Sequence, residues 1–124
     1  MANVFANAGK ATVTGLLAAS TSKYLAWGTG AGTSANTDTT LFTESAQESR
    51  VAGAQTQQTT TATNDTYQTV GTLTVATAGK TITNVGVFDN AASSSGNMLV
   101  KADFTGLALN VGDSIQFTMK LQFT

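Results

Sequence analysis

Ser114-Ile115-Gln116-Phe117-Thr118-Met119-Lys120-Leu121-Gln122-Phe123-Thr124 is the stretch that decides the fold class. Apolar side chains fall at Ile115, Phe117, Met119, Leu121 and Phe123, with a polar residue at every position between them. Successive side chains on a strand point to opposite faces, so this period of two gives one dry face and one wet face. A helix would scatter the same apolar set around its circumference. Burying one such side chain is worth roughly 1.5–3 kcal/mol, so the segment is expected to contribute strongly to the core. It stands last in the chain, and its removal is expected to unfold the domain rather than trim it.

The segments before it repeat the pattern. Thr105 to Val111 carries Leu107, Leu109 and Val111 at alternate positions, and Gly112-Asp113 reads as the turn into the last strand. Met98 to Phe104 alternates again: Met98, Val100, Ala102 and Phe104 are expected inside, Lys101 and Asp103 outside. The run Ala91–Asn97 is a loop tip. Thr81 to Phe88 is apolar on both parities in its second half, as in a strand covered on both faces or one switching layers at Gly86. Thr66 to Val75 is a strand with Gly71 in its middle, which suggests a bulge or a close backbone approach. Ala78-Gly79-Lys80 and Asn64-Asp65 are turn signals. Gln55 to Thr63 favours extended backbone through its threonines, but both of its faces are polar. Such a strand is expected at a sheet edge or in an interface. Lys23 to Trp27 reads as a strand.

Two segments are less regular. Met1 to Leu17 fits either a short helix, with Asn3 or Asn7 as cap, or a strand favoured by Thr12, Val13 and Thr14. We divide the chain into an arm or edge segment, 1–22, and a domain, 23–124. Gly28 to Gly53 is polar and long for a structureless loop. It is expected to hide a strand near Ala46–Ala52 or to pack against another chain, with Leu41-Phe42 pinning it to the core. Gly28-Thr29-Gly30-Ala31-Gly32 lacks the Gly-Lys-Ser/Thr of a phosphate loop and reads as a flexible turn with positive φ. Glu44 and Glu48 read as a solvated approach to the next strand rather than a catalytic pair. Arg50, the one arginine, reads as a surface ion pair or as an interface anchor. Together these segments predict an all-β chain: a single-domain antiparallel β-sandwich, jelly-roll-like, of seven or eight short strands.

Composition narrows the function classes. Charged residues make up 10% of the chain, against roughly 25% in ordinary soluble domains. No basic stripe suits nucleic acid, and no apolar run reaches the ~20 residues of a membrane span. With no Cys and no His, disulfides, thiol nucleophiles, serine triads and ordinary zinc sites are excluded. Asp65, Asp89, Asp103 and Asp113 carry oxygen ligands suited to Ca²⁺. They sit at strand ends and turns, where Asp serves turn chemistry, and their spacing matches no EF-hand loop. We therefore expect no enzyme activity, no cofactor and no metal. The first residues lack the basic and apolar regions of a secretory signal.

An ordered set of motifs carries a family resemblance from Tyr24 onward. It comprises Ala26-Trp27-Gly28-Thr29-Gly30, Leu41-Phe42 followed by Glu44 and Arg50, and Asn64-Asp65-Thr66-Tyr67 leading to Gly71-Thr72-Leu73-Thr74. Ile82 to Asp89, Leu99 to Phe104 and Gly112 to Phe117 complete it. In these the chain resembles small virion structural proteins of tailed bacteriophages, of the head decoration or cement kind. The resemblance implies synthesis in the bacterial cytoplasm and a place on the capsid surface. It also implies a homo-oligomer, with a trimer favoured, bound to the major capsid protein and stabilising the head. The alternative is a tail or fibre module that contacts host surface glycans, with Tyr24 or Trp27 in a sugar-binding loop. On the cement reading, the docking candidates are Val4, Phe5 and Lys10 in the first segment, Gln57, Thr59 and Thr61 in the polar strand, and Arg50.

The reading of the last strand has a direct test. Phe117→Asp buries an unpaired charge and is expected to abolish folding. A soluble variant that still unfolds cooperatively in urea would show that this strand faces no core.

Overall fold

The alternating segments become strands in a computed structural model that describes residues 1–124. Helix α1 (Asn7–Ala19) comes first. It is followed by β1 (Tyr24–Gly28), β2 (Val51–Ala52), β3 (Ala54–Gln58), β4 (Thr66–Thr74), β5 (Lys80–Phe88), β6 (Met98–Leu109) and β7 (Ser114–Gln122). One sheet has the order β2-β1-β5-β6 and the other β3-β4-β7, with every pairing antiparallel. The chain is an all-β sandwich-like single domain with one helix. Leu25, Trp27, Leu73, Val75, Ile82, Val85, Val87 and Met119 form the core between the sheets.

The last strand pairs along its whole length with β4, from Thr66 opposite Gln122 to Thr74 opposite Ser114. Its dry face contributes less than its pattern suggests. Met119 is buried, whereas Ile115 and Phe117 are only partly covered. The reason is position: β7 ends its sheet, so one flank of each side chain has no neighbouring strand. Phe117 still meets Trp27 edge-on at 6.5 Å and Phe104 at 6.1 Å.

Strand β5 is covered on both faces. Val85 and Val87 enter the main core, while Phe88 joins Ala26 and Leu41 in a second cluster on the outer face. The polar segment after β1 supplies that outer cover. Phe42 N–H donates to Asn84 Oδ1 at 3.0 Å, and Asn84 Nδ2 returns a bond to the Phe42 carbonyl at 3.1 Å. Lys101 pairs with Asp38 at 2.8 Å and lies 3.2 Å from the centre of the Phe42 ring. Asp103 accepts from Ser34 N–H at 2.8 Å. Lys101 and Asp103 thus face outward as expected, but under the loop they hold. The segment packs on its own sheet rather than requiring another chain, and its hidden strand is the two-residue β2.

Several local expectations are corrected. Gly28, Gly30 and Gly32 are not among the positive-φ residues; close approach is what excludes a side chain there. A Cβ on Gly30 would stand 2.7 Å from Thr43 Oγ1 and 2.8 Å from the Phe42 carbonyl carbon. Gly71 sits in a ladder without a register shift, where a Cβ would lie 3.0 Å from Leu25 Cδ1, so it marks a close approach and not a bulge. The irregularities fall instead between β5 and β6, at Ile82/Asn84 and Val87/Phe88. The second of these turns Met98 out of the main core and onto the outer cluster. Thr105 to Leu109 is no separate piece; it continues β6.

The first segment is a helix, and it lies within the body. Its N-cap is Ala6, with no side-chain capping bond; Asn7 Oδ1 accepts from Lys10 Nζ instead. Ladder register puts Gln55 and Gln57 on the same face as Tyr67, Thr69, Met119 and Leu121, so these glutamines point inward. Helix α1 covers them. Gln57 Nε2 donates to the Ala11 carbonyl at 2.8 Å and to Thr14 Oγ1 at 3.0 Å. Thr14 donates to the Asn64 carbonyl at 2.6 Å. The polar strand is therefore an edge strand, β3, whose inner face is satisfied by helix backbone, and it stops at Gln58.

Gly30→Ala drives a methyl into the Phe42 backbone and the Thr43 hydroxyl. A loss of about 1–3 kcal/mol is expected, read as a lower urea midpoint at unchanged m-value.

Candidate docking surface

Met1 to Ala6 has no regular structure and is exposed throughout. Val4 is 87% exposed, and Phe5, at 43%, touches the body through an edge-on contact with Phe123 at 6.1 Å. Helix α1 then brings Lys10 beside the turn between β3 and β4. Lys10 and Thr61 line one cavity of about 290 Å³ together with Asn7, Asp65, Gln122 and Phe123. Val4, Phe5, Lys10, Thr59 and Thr61 thus belong to the first segment and the turn it lies against. Thr59 accepts from Asn64 N–H at 3.0 Å, and Thr61 accepts from Gln122 Nε2 at 3.0 Å.

Asp65 organises that end, a role the sequence signalled only as a turn. Its carboxylate accepts from the N–H groups of Thr60, Thr61 and Ala62, from the Thr66 hydroxyl and from Gln122 Nε2. The Ala62 N–H bond foremost, with those of Thr60, Gln122 and Thr61, holds its pKa well below the usual carboxylate range against the cost of burial. The other aspartates are also engaged in loop chemistry. Asp89 accepts from Asn97, and Asp113 from Asn110 N–H. No three carboxylates cluster in a way that would hold a metal ion.

Gln57 and Arg50 do not join the surface. Gln57 lies under α1, as described above. Arg50 is buried, with its side chain fully covered. Its Nε and Nη2 form a two-pronged contact with Glu44 at 2.9 and 2.8 Å. Nη1 donates to the carbonyls of Asn90 and Ser95, and the guanidinium lies 3.6 Å from the centre of the Phe88 ring. It is an internal clamp holding the loop before β2 to the turn between β5 and β6. A surface ion pair is ruled out, and the buried side chain offers nothing to a partner in this conformation.

Glu48 is the larger surprise. It is buried rather than solvated. Lys80 Nζ stands 2.5 Å from Oε1 and 2.7 Å from Oε2. Ser45 Oγ donates to Oε2 at 2.7 Å, Trp27 Nε1 to Oε2 at 3.3 Å and Ala76 N–H to Oε1 at 3.1 Å. The two glutamates of the sequence are thus separate ion-pair centres with different cations. Each ties a loop to the sheet, Glu44 through Arg50 and Glu48 through Lys80, with Ser45 bonded to both Glu48 and Lys80.

Comparison with family models, curated proteins and solved structures returns no match to this chain.

Glu48 gives the domain an acid-labile element. Burial alone would raise its pKa. The bonds from Lys80, Ser45, Ala76 and Trp27 outweigh that and lower it from 4.5 to about 2. A depressed carboxylate stabilises the fold fully above its unfolded value and loses that contribution as pH falls through the folded value. Stability is expected to fall by up to about 3 kcal/mol between pH 4.5 and 2 from this group. Glu48→Gln should be less stable at pH 7 and flatter across that window, as urea midpoints at successive pH values will show. An unchanged slope in the variant would remove Glu48 from the account.

Proposed function

We propose that the chain is a phage virion structural protein. On this reading it is a capsid decoration (cement) protein that binds the outside of the head as a homo-oligomer, contacts the major capsid protein and stabilises the shell. It is not an enzyme. The observation that carries the reading is the segment Met1–Ala6. It has no regular structure and presents Met1 and Val4 to solvent, with Phe5 resting against Phe123. An apolar arm on a Thr-, Ser- and Gln-rich surface suits attachment to a larger body. Leu16, further along α1, is a second exposed apolar side chain, at 68%. Many copies bound to an assembled lattice stabilise it by mass action even when each contact is weak.

The tail or fibre reading requires an aromatic platform for sugars. Trp27 is fully buried and donates to Glu48, which leaves Tyr24 of the two residues expected in the sugar loop and favours the cement reading.

Removal of Met1–Val4 leaves α1 and the Phe5–Phe123 contact in place. The truncated chain is expected to keep its melting temperature within a few degrees and to lose at least about tenfold in co-sedimentation with empty phage heads, since about 1.4 kcal/mol of lost contact suffices for that. Undiminished co-sedimentation would sink the arm's role.

A further inference from the structure

We propose that residues 31–39 form a strap, latched onto β6 by two carboxylate contacts, which opens as a unit from a fixed neck while both sheets stay folded. The strap is independent of head binding and does not require it.

Backbone makes the neck. Thr29 N–H donates to the Thr43 carbonyl at 3.0 Å, and Gly30 N–H to the Phe42 carbonyl at 2.9 Å. The chain thus leaves and re-enters the body at one place, as in an Ω-loop. Both ends are tied down from the sheet. Thr83 bonds to the Gly30 carbonyl, Lys101 Nζ donates to the Thr40 carbonyl at 3.0 Å, and Leu41 is buried. Opening between these ends breaks no strand pairing.

Little else holds the segment. It has no apolar side chain larger than alanine, and its one backbone bond runs from Asp38 N–H to the Ala35 carbonyl. Gly32 lies against the Phe42 ring without a side chain of its own. Every residue of the strap is exposed except Ser34 and Asp38, the two that reach β6. Ser34 N–H donates to Asp103 Oδ1 at 2.8 Å, and Lys101 Nζ donates to Asp38 Oδ2 at 2.8 Å. Asp38 Oδ2 also accepts from Ala35 N–H at 3.0 Å, so one carboxylate holds both the turn and the latch. Of the three covered ion pairs, its carboxylate is the most open to water: 22% exposed, against 10% for Glu44 and 4% for Glu48. Asp103 is exposed outright. A recess of about 340 Å³ lies between the strap and the start of β6, so packing adds little to the two contacts. Segments with few buried apolar contacts open locally, at lower cost than the fold that carries them.

Acid releases the latch. Lys101 and Asp103 are the charged groups that face the strap from β6. Strand β5 offers only neutral Thr83 and Asn84, and Glu44 and Arg50 beyond Thr40 bind each other. The bond from Lys101 holds the Asp38 carboxyl below its usual range, and Ser34 does the same for Asp103. Each contact is complete above the ordinary carboxylate value and is lost as pH falls through the lower folded value. Lys101 stays on the Phe42 ring and the Thr40 carbonyl, and gains water as its carboxylate leaves.

Amide hydrogen exchange by NMR on the full chain tests this near pH 5, where both carboxylates are ionised. The wild-type amides of Ser34, Ala35 and Asp38 are expected to exchange more slowly than in an unstructured peptide. Asp38→Ala combined with Asp103→Ala should speed them about fivefold or more and leave the amides of β5 unchanged. Lys101→Met keeps an unbranched side chain on Phe42. It should speed Ala35 and Asp38 more than Ser34, and it decides the matter if the double variant fails to fold. In the wild type, acidification to about pH 2 should remove protection at these three amides before it does so in β5. Wild-type strap amides exchanging at the unstructured rate, strap amides indifferent to the substitutions, or equal acceleration in β5 would each overturn the proposal.

Discussion

The structure depends on the requirement that β5 be dry on both faces. Val85 and Val87 demand a facing sheet; Gly86 and Phe88 demand a second cover outside. An antiparallel sandwich supplies the first by construction and commonly leaves the other face to solvent. This chain meets the second demand with irregular backbone. Such a cover carries its own polar groups, and each must find a partner. Asn84 meets the loop backbone at Phe42, Thr83 bonds to the carbonyls of Gly28 and Gly30, and Lys101 and Asp103 hold its middle. The close glycines after β1 follow from the same contact, since the loop lies against the backbone it covers.

The few charges of the chain are concentrated in this work. Arg50, Lys80 and Lys101 are paired with Glu44, Glu48 and Asp38, and their side chains are almost wholly covered. Two of the three also stack on rings, Arg50 on Phe88 and Lys101 on Phe42. Breaking such a pair by removing one partner leaves an uncompensated charge in a dry site. These residues therefore act as fixed joints between loops and sheet. The outer surface keeps a few charges, such as Asp89, Asp113 and Lys120, among many hydroxyls and amides.

Much of the fold was legible in the sequence because periodicity reports burial directly. The alternation in β6 and β7, the turn at Gly112-Asp113 and the two-sided apolar character of β5 all reappear in three dimensions. What misled were residues whose environment depends on a distant segment. Glu44, Glu48 and Arg50 read as surface because charge usually signals exposure, and nothing local announces that Lys80 or Asn90 will close over them. Gln55 and Gln57 read as lacking a core face, because an amide that bonds to a helix carbonyl leaves no apolar trace. Met98 was misplaced by one irregularity that no composition signal marks. The candidate surface was legible in its exposed part, Val4 to Lys10 with Thr59 and Thr61, and illegible where burial removed Arg50 and Gln57 from it.

The pairing of β1 with β5 has a consequence for how the chain reaches its native state. Tyr24–Gly28 has no sheet to join until Asn84–Phe88 has been made, and β2 in turn joins β1. Closing so distant a contact costs chain entropy before any contact repays it, and topologies dominated by such pairings fold in milliseconds to seconds. The hairpin-like neighbours β5 and β6 and the helix α1 are local and form early by the same reasoning. Trp27, the one tryptophan, sits at the β1–β5 junction, so it enters its buried environment only when the slowest topological step is complete.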